Sequence, residues 1–163
     1  MKPTAIVTAD QTQAEACLPI LMDSILGTYF DESLALTVLT EAAVRKELLV
    51  AVGETEVLGF CVLADRATFQ VFPYLHLLAV KSEHRSRGIG TVLLRHLEQV
   101  TLGSPGYPFR PKIFLLVAED NPGAIRFYER SGYTRKAVLE DVFSEGDTEF
   151  LYMKDLGPKP GFA

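Results

Sequence analysis

The stretch HLLAVKSEHRSRGIGTVLLRHLEQV, residues 76–100, joins an apolar run to a helical pattern through a corner of Arg, Ser and Gly. The run predicts a strand, and apolar residues at helical spacing after the corner predict a helix. Gly88 and Gly90 lack a Cβ atom, so a ligand can approach the backbone closely. The first N–H groups of the helix can bind an anion there, and Arg85 and Arg87 add positive charge. A diphosphate would suit this corner, although a tight turn with a solvated basic edge is the alternative.

The rest of the chain predicts strands and helices in the order β-α-α-β-β-β-α-β-α-β-β. Asp10 or Thr12 can cap the first helix and Gly27 can end it, while Asn121 can cap the last helix. The order implies both parallel and antiparallel pairing, and hence a mixed sheet with helices packed against it. The strands are expected at residues 4–9, in a hairpin within 48–65, and at 71–80, 112–119, 133–142 and 148–156.

Length and charge limit the classes of protein that fit. The 163 residues suit one domain, with a core of about residues 4–156 and a loose tail at 157–163. A net charge of −5 argues against nucleic acid as a partner, because phosphate backbones need a broad basic face. Lys81, Arg85, Arg87 and Arg95 nevertheless form a local basic region, which suits a small anionic ligand. His84 and His96 are expected at the surface.

Cysteines and hydrophobic segments point to a cytoplasmic protein without a membrane partner. Cys17 and Cys61 each lie among apolar residues, as two buried thiols in a reducing compartment would. They show no metal-ligand spacing, so no metal is expected. The N-terminal residues lack the apolar core of a signal peptide, and no run is long enough to cross a bilayer.

A second motif, NPGAIRFYERSGY at residues 121–133, begins the predicted helix after the next strand. Together with the corner it resembles the GCN5-related N-acetyltransferase (GNAT) superfamily. The first signature of that superfamily, R/Q-x-x-G-x-G/A, is similar to Arg85-Ser86-Arg87-Gly88-Ile89-Gly90. Its second signature, N-x-x-A-x-x-F-Y-E-x-x-G-F/Y, is similar to residues 121–133. The two motifs occur in the right order and the resemblance covers nearly the whole chain.

The resemblance implies an α/β fold of the acyl-CoA N-acyltransferase type, a central mixed β-sheet flanked by helices. It also implies acetyl-CoA as the cosubstrate, lying between the strands that end at Val80 and Ala118. The diphosphate would bind the corner, and the pantetheine arm would pair with the strand before it. The residues expected to bind the cosubstrate are Leu78, Ala79, Val80, Arg85, Ser86, Arg87, Gly88, Ile89, Gly90, Thr91, Asn121, Ala124, Phe127 and Tyr128.

Acetyl transfer to an amine needs a neutral amine and a proton for the departing thiolate. A primary alkylamine has a pKa of about 10, so it must lose a proton before it attacks. His76 is the candidate base. It shares a strand face with Tyr74, Leu78 and Val80, which places its imidazole one or two side chains before the acetyl site that the resemblance implies. The base could also be water or another residue, and His76 could instead be a hydrogen-bonded histidine beside the core. The resemblance implies that Tyr128 is the general acid, with an aromatic core filler as the alternative.

The resemblance places the acceptor beside two segments, GTYFDES at residues 27–33 and EDVFSEGDTEF at residues 140–150. Both mix acids with aromatic residues, which favours a cationic amine of a small molecule or peptide, although acidic loops are also typical of soluble surfaces. Homodimers are frequent in the superfamily, and we carry a homodimer as an expectation. A non-catalytic acyl-CoA-binding domain is the main alternative. A dinucleotide-binding enzyme ranks lower, because Leu93 stands where a third glycine is needed.

Overall fold

The computed structural model describes residues 3–108 and 110–161. Its elements follow the predicted order, with two short 3-10 helices added at Ile25–Tyr29 and Ser82–His84. The strands are β1 (Ala5–Thr8), β2 (Leu48–Val52), β3 (Val57–Thr68), β4 (Phe72–Val80), β5 (Lys112–Ala118), β6 (Thr134–Glu140) and β7 (Thr148–Asp155). The helices are α1 (Gln11–Met22), α2 (Glu32–Val44), α3 (Ile89–Gly103) and α4 (Pro122–Arg130).

The strands form a seven-stranded mixed sheet in the order β1-β2-β3-β4-β5-β7-β6. The pairing of β4 with β5 is parallel and joins Tyr74 to Phe114. The pairs β1–β2, β2–β3, β5–β7 and β6–β7 are antiparallel. The predicted mixed sheet flanked by helices is therefore confirmed.

Residue contacts divide the chain into two compact units. Unit 1 comprises the residues up to Asp65 and Leu75–Val100, and unit 2 comprises Arg66–Tyr74 and the residues from Thr101 onward. The expectation of a single domain stays a prediction. Within the described residues, no helix is both long and apolar enough to cross a membrane.

The core of unit 1 packs α1 and α2 against one face of β2, β3 and β4. Asp10 begins α1 with a capping box, in which its carboxylate accepts a hydrogen bond from the Gln13 N–H at 2.8 Å. Asp31 caps α2 with its carboxylate, which accepts a hydrogen bond from the Leu34 N–H at 2.8 Å. The buried residues of this core include Cys17, Leu21, Leu39, Leu48, Val50, Phe60, Leu77 and Ala79.

Unit 2 packs α4 against one face of β5 and β7. The Tyr152 hydroxyl donates to the Glu129 carboxylate at 3.0 Å, which joins β7 to α4. Tyr152 pairs with Leu115 of β5, so these two residues share that face of the sheet. Tyr128 and Tyr133 are buried beside them, at 8% and 2% exposure. Gly132 adopts a φ of +89° after α4, a conformation in which glycine commonly ends a helix.

Three local predictions differ from the structure. The first helix ends at Met22, and Gly27 lies instead in a 3-10 turn, where an added Cβ would come within 2.7 Å of the Leu21 carbonyl oxygen. The tail expected to be loose is held at Lys159, whose ammonium group donates to the carbonyl oxygens of Ser104 and Tyr107. Residues 162 and 163 of that tail lie outside the described residues. His84 is buried at 8% exposure rather than at the surface.

Candidate active site

The corner between β4 and α3 has the backbone geometry of an anion site. Ser86 has a φ of +61° and Gly88 a φ of +84°, so the chain turns sharply before the helix. The first intrahelical bond runs from the Val92 N–H to the Gly88 carbonyl oxygen at 3.0 Å. The N–H groups of Ile89, Gly90 and Thr91 precede that bond, and helix geometry leaves them available to a ligand. Turns of this kind, at the positive end of a helix dipole, bind phosphate groups.

Space at the corner also suits a close ligand. A Cβ atom built on Gly88 would meet no atom within 4 Å, so the residue is glycine because of its φ rather than because of crowding. Ser86 and Arg87 are exposed, while Ile89 is buried at 1% exposure and anchors the first turn of α3. The corner therefore combines an anchored helix with an open backbone, an arrangement that suits a phosphate group.

The described hydrogen bonds and ion pair of the Arg85 side chain are all made to other residues of the protein. Its Nε donates to the Val80 carbonyl oxygen at 3.0 Å, and its Nη2 donates to the Asp23 carbonyl oxygen at 3.1 Å. The Asp23 carboxylate lies 3.4 Å from the same nitrogen. Asp23 directly follows α1, so Arg85 ties the end of that helix to the end of β4. The side chain holds the corner in place, and the backbone N–H groups and Arg87 are further candidates for binding an anion; a role of Arg85 in cosubstrate binding stays a prediction.

An ion-pair network beside the corner was not foreseen from the sequence. The Lys81 ammonium lies 2.5 Å from a Glu56 carboxylate oxygen and 3.1 Å from a Glu83 oxygen. The other Glu56 oxygen lies 3.2 Å from the His84 Nε2. The hydrogen bonds from Lys81 and His84 lower the pKa of Glu56. Glu56, Glu83 and His84 are grouped as metal ligands could be, but the Lys81 ammonium already forms ion pairs with both carboxylates.

Strand β4 alternates between buried and more open positions. Leu75, Leu77 and Ala79 are buried at 3–4% exposure, whereas Leu78 and Val80 are half-buried and His76 is exposed. The protein around His76 still removes part of its hydration. This burial, followed by the positive charge of Arg45, lowers its pKa, and the opposing effect of Glu47 is smaller. His76 therefore has the protonation behaviour of a base that is neutral at physiological pH.

The second motif forms α4 as its sequence predicts. The Asn121 side-chain oxygen accepts from the Ala124 N–H at 3.1 Å, and Pro122 occupies the first position of the helix. Tyr128 is buried between two aromatic neighbours, with ring centroids 5.1 Å from Phe127 and 5.7 Å from Tyr133. Phe127 and Ala124 are half-buried. Asn121 and Tyr128 thus lie in unit 2, whereas His76 and residues 85–91 lie in unit 1.

In the two acidic segments expected near the acceptor, some acids stabilise local turns and one acid is buried. Asp31 caps α2, and Asp141 accepts from the Gly146 N–H at 2.6 Å, so both serve their own turns. Glu149 is different, because it lies within β7 at 5% exposure. Burial and the negative charges of Asp147 and Asp120 raise its pKa. The sequence signal for Glu149 was an acid directly before the apolar run at residues 150–153, and this signal identified no role by itself.

Solved structures define the class of fold to which the chain is similar. An acetyltransferase of the GNAT family from Bacillus cereus superposes with a TM-score of 0.75 at 21% identity, covering 95% of this chain and 97% of that one. An aminoglycoside 6'-N-acetyltransferase complexed with coenzyme A gives a TM-score of 0.77 at 20% identity, covering 96% and 99%. At these identities the likeness shows the fold alone, which is that of the GNAT acyltransferases.

The sequence itself shows the family. The pattern of the acetyltransferase (GNAT) family matches residues 14–133, and the chain belongs to that family. An uncharacterized N-acetyltransferase of Methanocaldococcus jannaschii is 38% identical over 77 residues, which is 47% of each chain. The match thus spans about half the length of this curated relative.

Proposed function

We propose that the protein moves an acetyl group from acetyl-CoA to a primary amine of a small molecule or peptide, by direct attack of the amine on the thioester. The corner between β4 and α3 carries this proposal. Its open N–H groups, its positive φ at Gly88 and the Arg87 charge suit the diphosphate of coenzyme A. A structurally similar acetyltransferase complexed with coenzyme A supports the same donor. The chemistry needs no metal.

Two side chains carry the proton transfers in this proposal. His76 accepts a proton from the acceptor amine, because its lowered pKa keeps the imidazole neutral at physiological pH. Tyr128 donates a proton to the thiolate of coenzyme A as the acetyl group leaves. Asn121 caps α4 and so fixes the helix that carries Tyr128. The amine must approach the thioester as a neutral nucleophile, which is why both a base and an acid are required.

The test combines binding with turnover. Calorimetry with coenzyme A should give saturable binding, and acetyl-CoA with a panel of primary amines should release thiol and yield an acetylated amine detectable by mass spectrometry. Tyr128→Phe should lower kcat by a factor on the order of ten to a thousand, since only the acid is lost, while acetyl-CoA still binds.

The matched control is Tyr133→Phe, which removes a hydroxyl from the same buried aromatic cluster. The family signature accepts Phe at this position, so turnover should stay within about twofold. Coenzyme A binding without turnover on any amine would favour a non-catalytic acyl-CoA-binding domain. Absence of coenzyme A binding would overturn the proposal entirely.

A further inference from the structure

The strand β6 forms one edge of the sheet, and one of its sides is unpaired within the described residues. It lies last in the strand order and pairs only with β7. The Asp141 N–H donates to the Asp147 carbonyl oxygen at 2.8 Å, which continues this pairing just past the end of β6. Backbone groups alternate in direction along an antiparallel strand, so the N–H and C=O groups of Val138 and Glu140 face away from β7. The edge therefore offers donors and acceptors to another strand.

The charges of this strand are arranged symmetrically about Val138. Lys136 and Glu140 lie two residues before and after it, and Arg135 and Asp141 lie three residues before and after it. The cations are thus at one end of the edge and the acids at the other. When two antiparallel copies of one strand pair about a two-fold axis, each end meets the opposite end of the copy. Pairing centred on Val138 sets Lys136 opposite Glu140 at both ends.

The side chains concerned are exposed and have no described partner of their own. Lys136 and Glu140 are both exposed, and within residues 3–108 and 110–161 no hydrogen bond or ion pair involves either side chain. Lys136 also pairs with no residue of β7, because the register of that pairing shifts at this position. Val138 is 54% exposed, although Phe150 opposite to it on β7 is buried. Pairing with a further strand would cover Val138 and neutralise both charges.

The same features select the partner. A lysine and an irregular register on an edge strand usually prevent pairing with other chains. A foreign strand without an acid at the matching position would leave the Lys136 ammonium unpaired. A second copy of β6 is different, because it brings Glu140 to that position. The edge therefore disfavours a strand of arbitrary sequence and favours its own copy, which argues for a homodimer rather than a bound peptide.

We propose that two copies of the chain associate through their β6 strands, antiparallel and with Val138 opposite itself on the two-fold axis. Backbone hydrogen bonds from Val138 and Glu140 join the two sheets across the interface. Two ion pairs between Lys136 and Glu140, one at each end, fix the register, and the Val138 side chains pack on each other. This dimer forms whether or not the protein transfers acetyl groups.

The first experiment measures the dissociation constant of the dimer by sedimentation equilibrium. Lys136→Glu and Glu140→Lys should each raise this constant at least about tenfold, because like charges then face each other at both ends. An equimolar mixture of the two variants should dimerise as tightly as the wild type, since one variant presents two acids at these positions and the other presents two bases. Glu54→Lys, which reverses an exposed charge between β2 and β3, should leave the constant unchanged.

A second experiment locates the two-fold axis. Val138→Cys should form a disulfide between two copies under mild oxidation, because opposite residues of an antiparallel pair have Cα atoms within disulfide range. Val44→Cys is the matched control, since Val44 is 79% exposed on α2, and it should not cross-link. The native Cys17 and Cys61 are buried and should not contribute to the cross-link.

The outcomes decide between this dimer and its alternatives. A wild-type chain that stays monomeric at its highest soluble concentration overturns the proposal. A wild-type dimer that neither charge variant weakens also overturns it, as does a mixture that stays monomeric although both variants are folded by circular dichroism. If a charge variant does not fold, the cross-link decides, and a dimer that Val138→Cys does not link refutes the axis. Acetyl transfer by a monomeric chain would refute this dimer and leave the proposed function standing.

Discussion

The residues of the candidate site differ in whether their properties are set by residues nearby in the sequence or by residues distant in the sequence. Asn121 caps α4 through the Ala124 N–H, a contact three residues away that the sequence predicts directly. His76 depends on Arg45 and Glu47, which lie about thirty residues earlier in the chain. Glu149 depends on its register with β5 and on Asp120. Local roles were therefore predictable, whereas the pKa of His76 and the burial of Glu149 follow from tertiary packing.

The lowered pKa of His76 predicts the pH profile of the proposed reaction. A base must be unprotonated to act, so kcat/KM should fall only as the pH drops through a pKa below the usual 6.5. His76→Ala should lower kcat/KM and remove this acid limb, because no imidazole remains to be protonated. The measurement is kcat/KM between about pH 5 and pH 9.

His96→Ala, which removes a half-buried imidazole on α3, should leave the limb in place. An unchanged limb in His76→Ala would show that water or another side chain is the base.

At the scale of elements, the corner before α3 was the most predictable part of the site. The glycines and the apolar spacing from Ile89 onward predict both the turn and the helix, and both are present. The sequence did not predict that Arg85 would bond to Asp23 and Val80, since that contact requires the end of α1 to lie beside β4. Motif residues thus located the corner without distinguishing ligand contacts from structural ones.

The positive φ of Gly88 predicts a specific cost of substitution. Gly88→Ala introduces no clash, but an L-residue at a φ of +84° should lower the free energy of unfolding by about 1–2 kcal/mol. Gly103→Ala is the matched control, because its Cβ also meets no atom within 4 Å and Gly103 ends α3 without a positive φ. It should change the free energy by no more than about 0.5 kcal/mol. Urea unfolding measures both, and equal values would show that backbone conformation at Gly88 is not the constraint.

At the scale of the whole molecule, the order of elements was predictable because each carries its own periodicity and caps. The bounds of the elements were less predictable. The 3-10 turn at Gly27, for example, lies close to the backbone of Leu21 and Met22. The anchoring of Lys159 on Ser104 and Tyr107 joins residues more than fifty positions apart. Neither feature has a local signal, because each depends on contacts made only in the folded chain.

The reaction rates of the two cysteine thiols measure how often the folded chain opens. Cys17 and Cys61 are both fully buried, and burial raises the pKa of each thiol to about 12. At pH 8 both thiols should react with a disulfide reagent about a hundredfold or more slowly in the native protein than in urea. The rate should be followed by absorbance, with Cys17→Ser as the variant that identifies each thiol. Fast reaction of one thiol in the native protein would reveal local opening around it.

The tie between Arg85 and Asp23 has an evolutionary consequence. These positions are 62 residues apart, yet one guanidinium group joins them. The family signature also allows Gln at position 85, and a Gln there would keep a donor for the strand end but lose the charge facing Asp23. Across homologues the two positions should therefore co-vary, with a neutral residue replacing the aspartate wherever glutamine replaces the arginine.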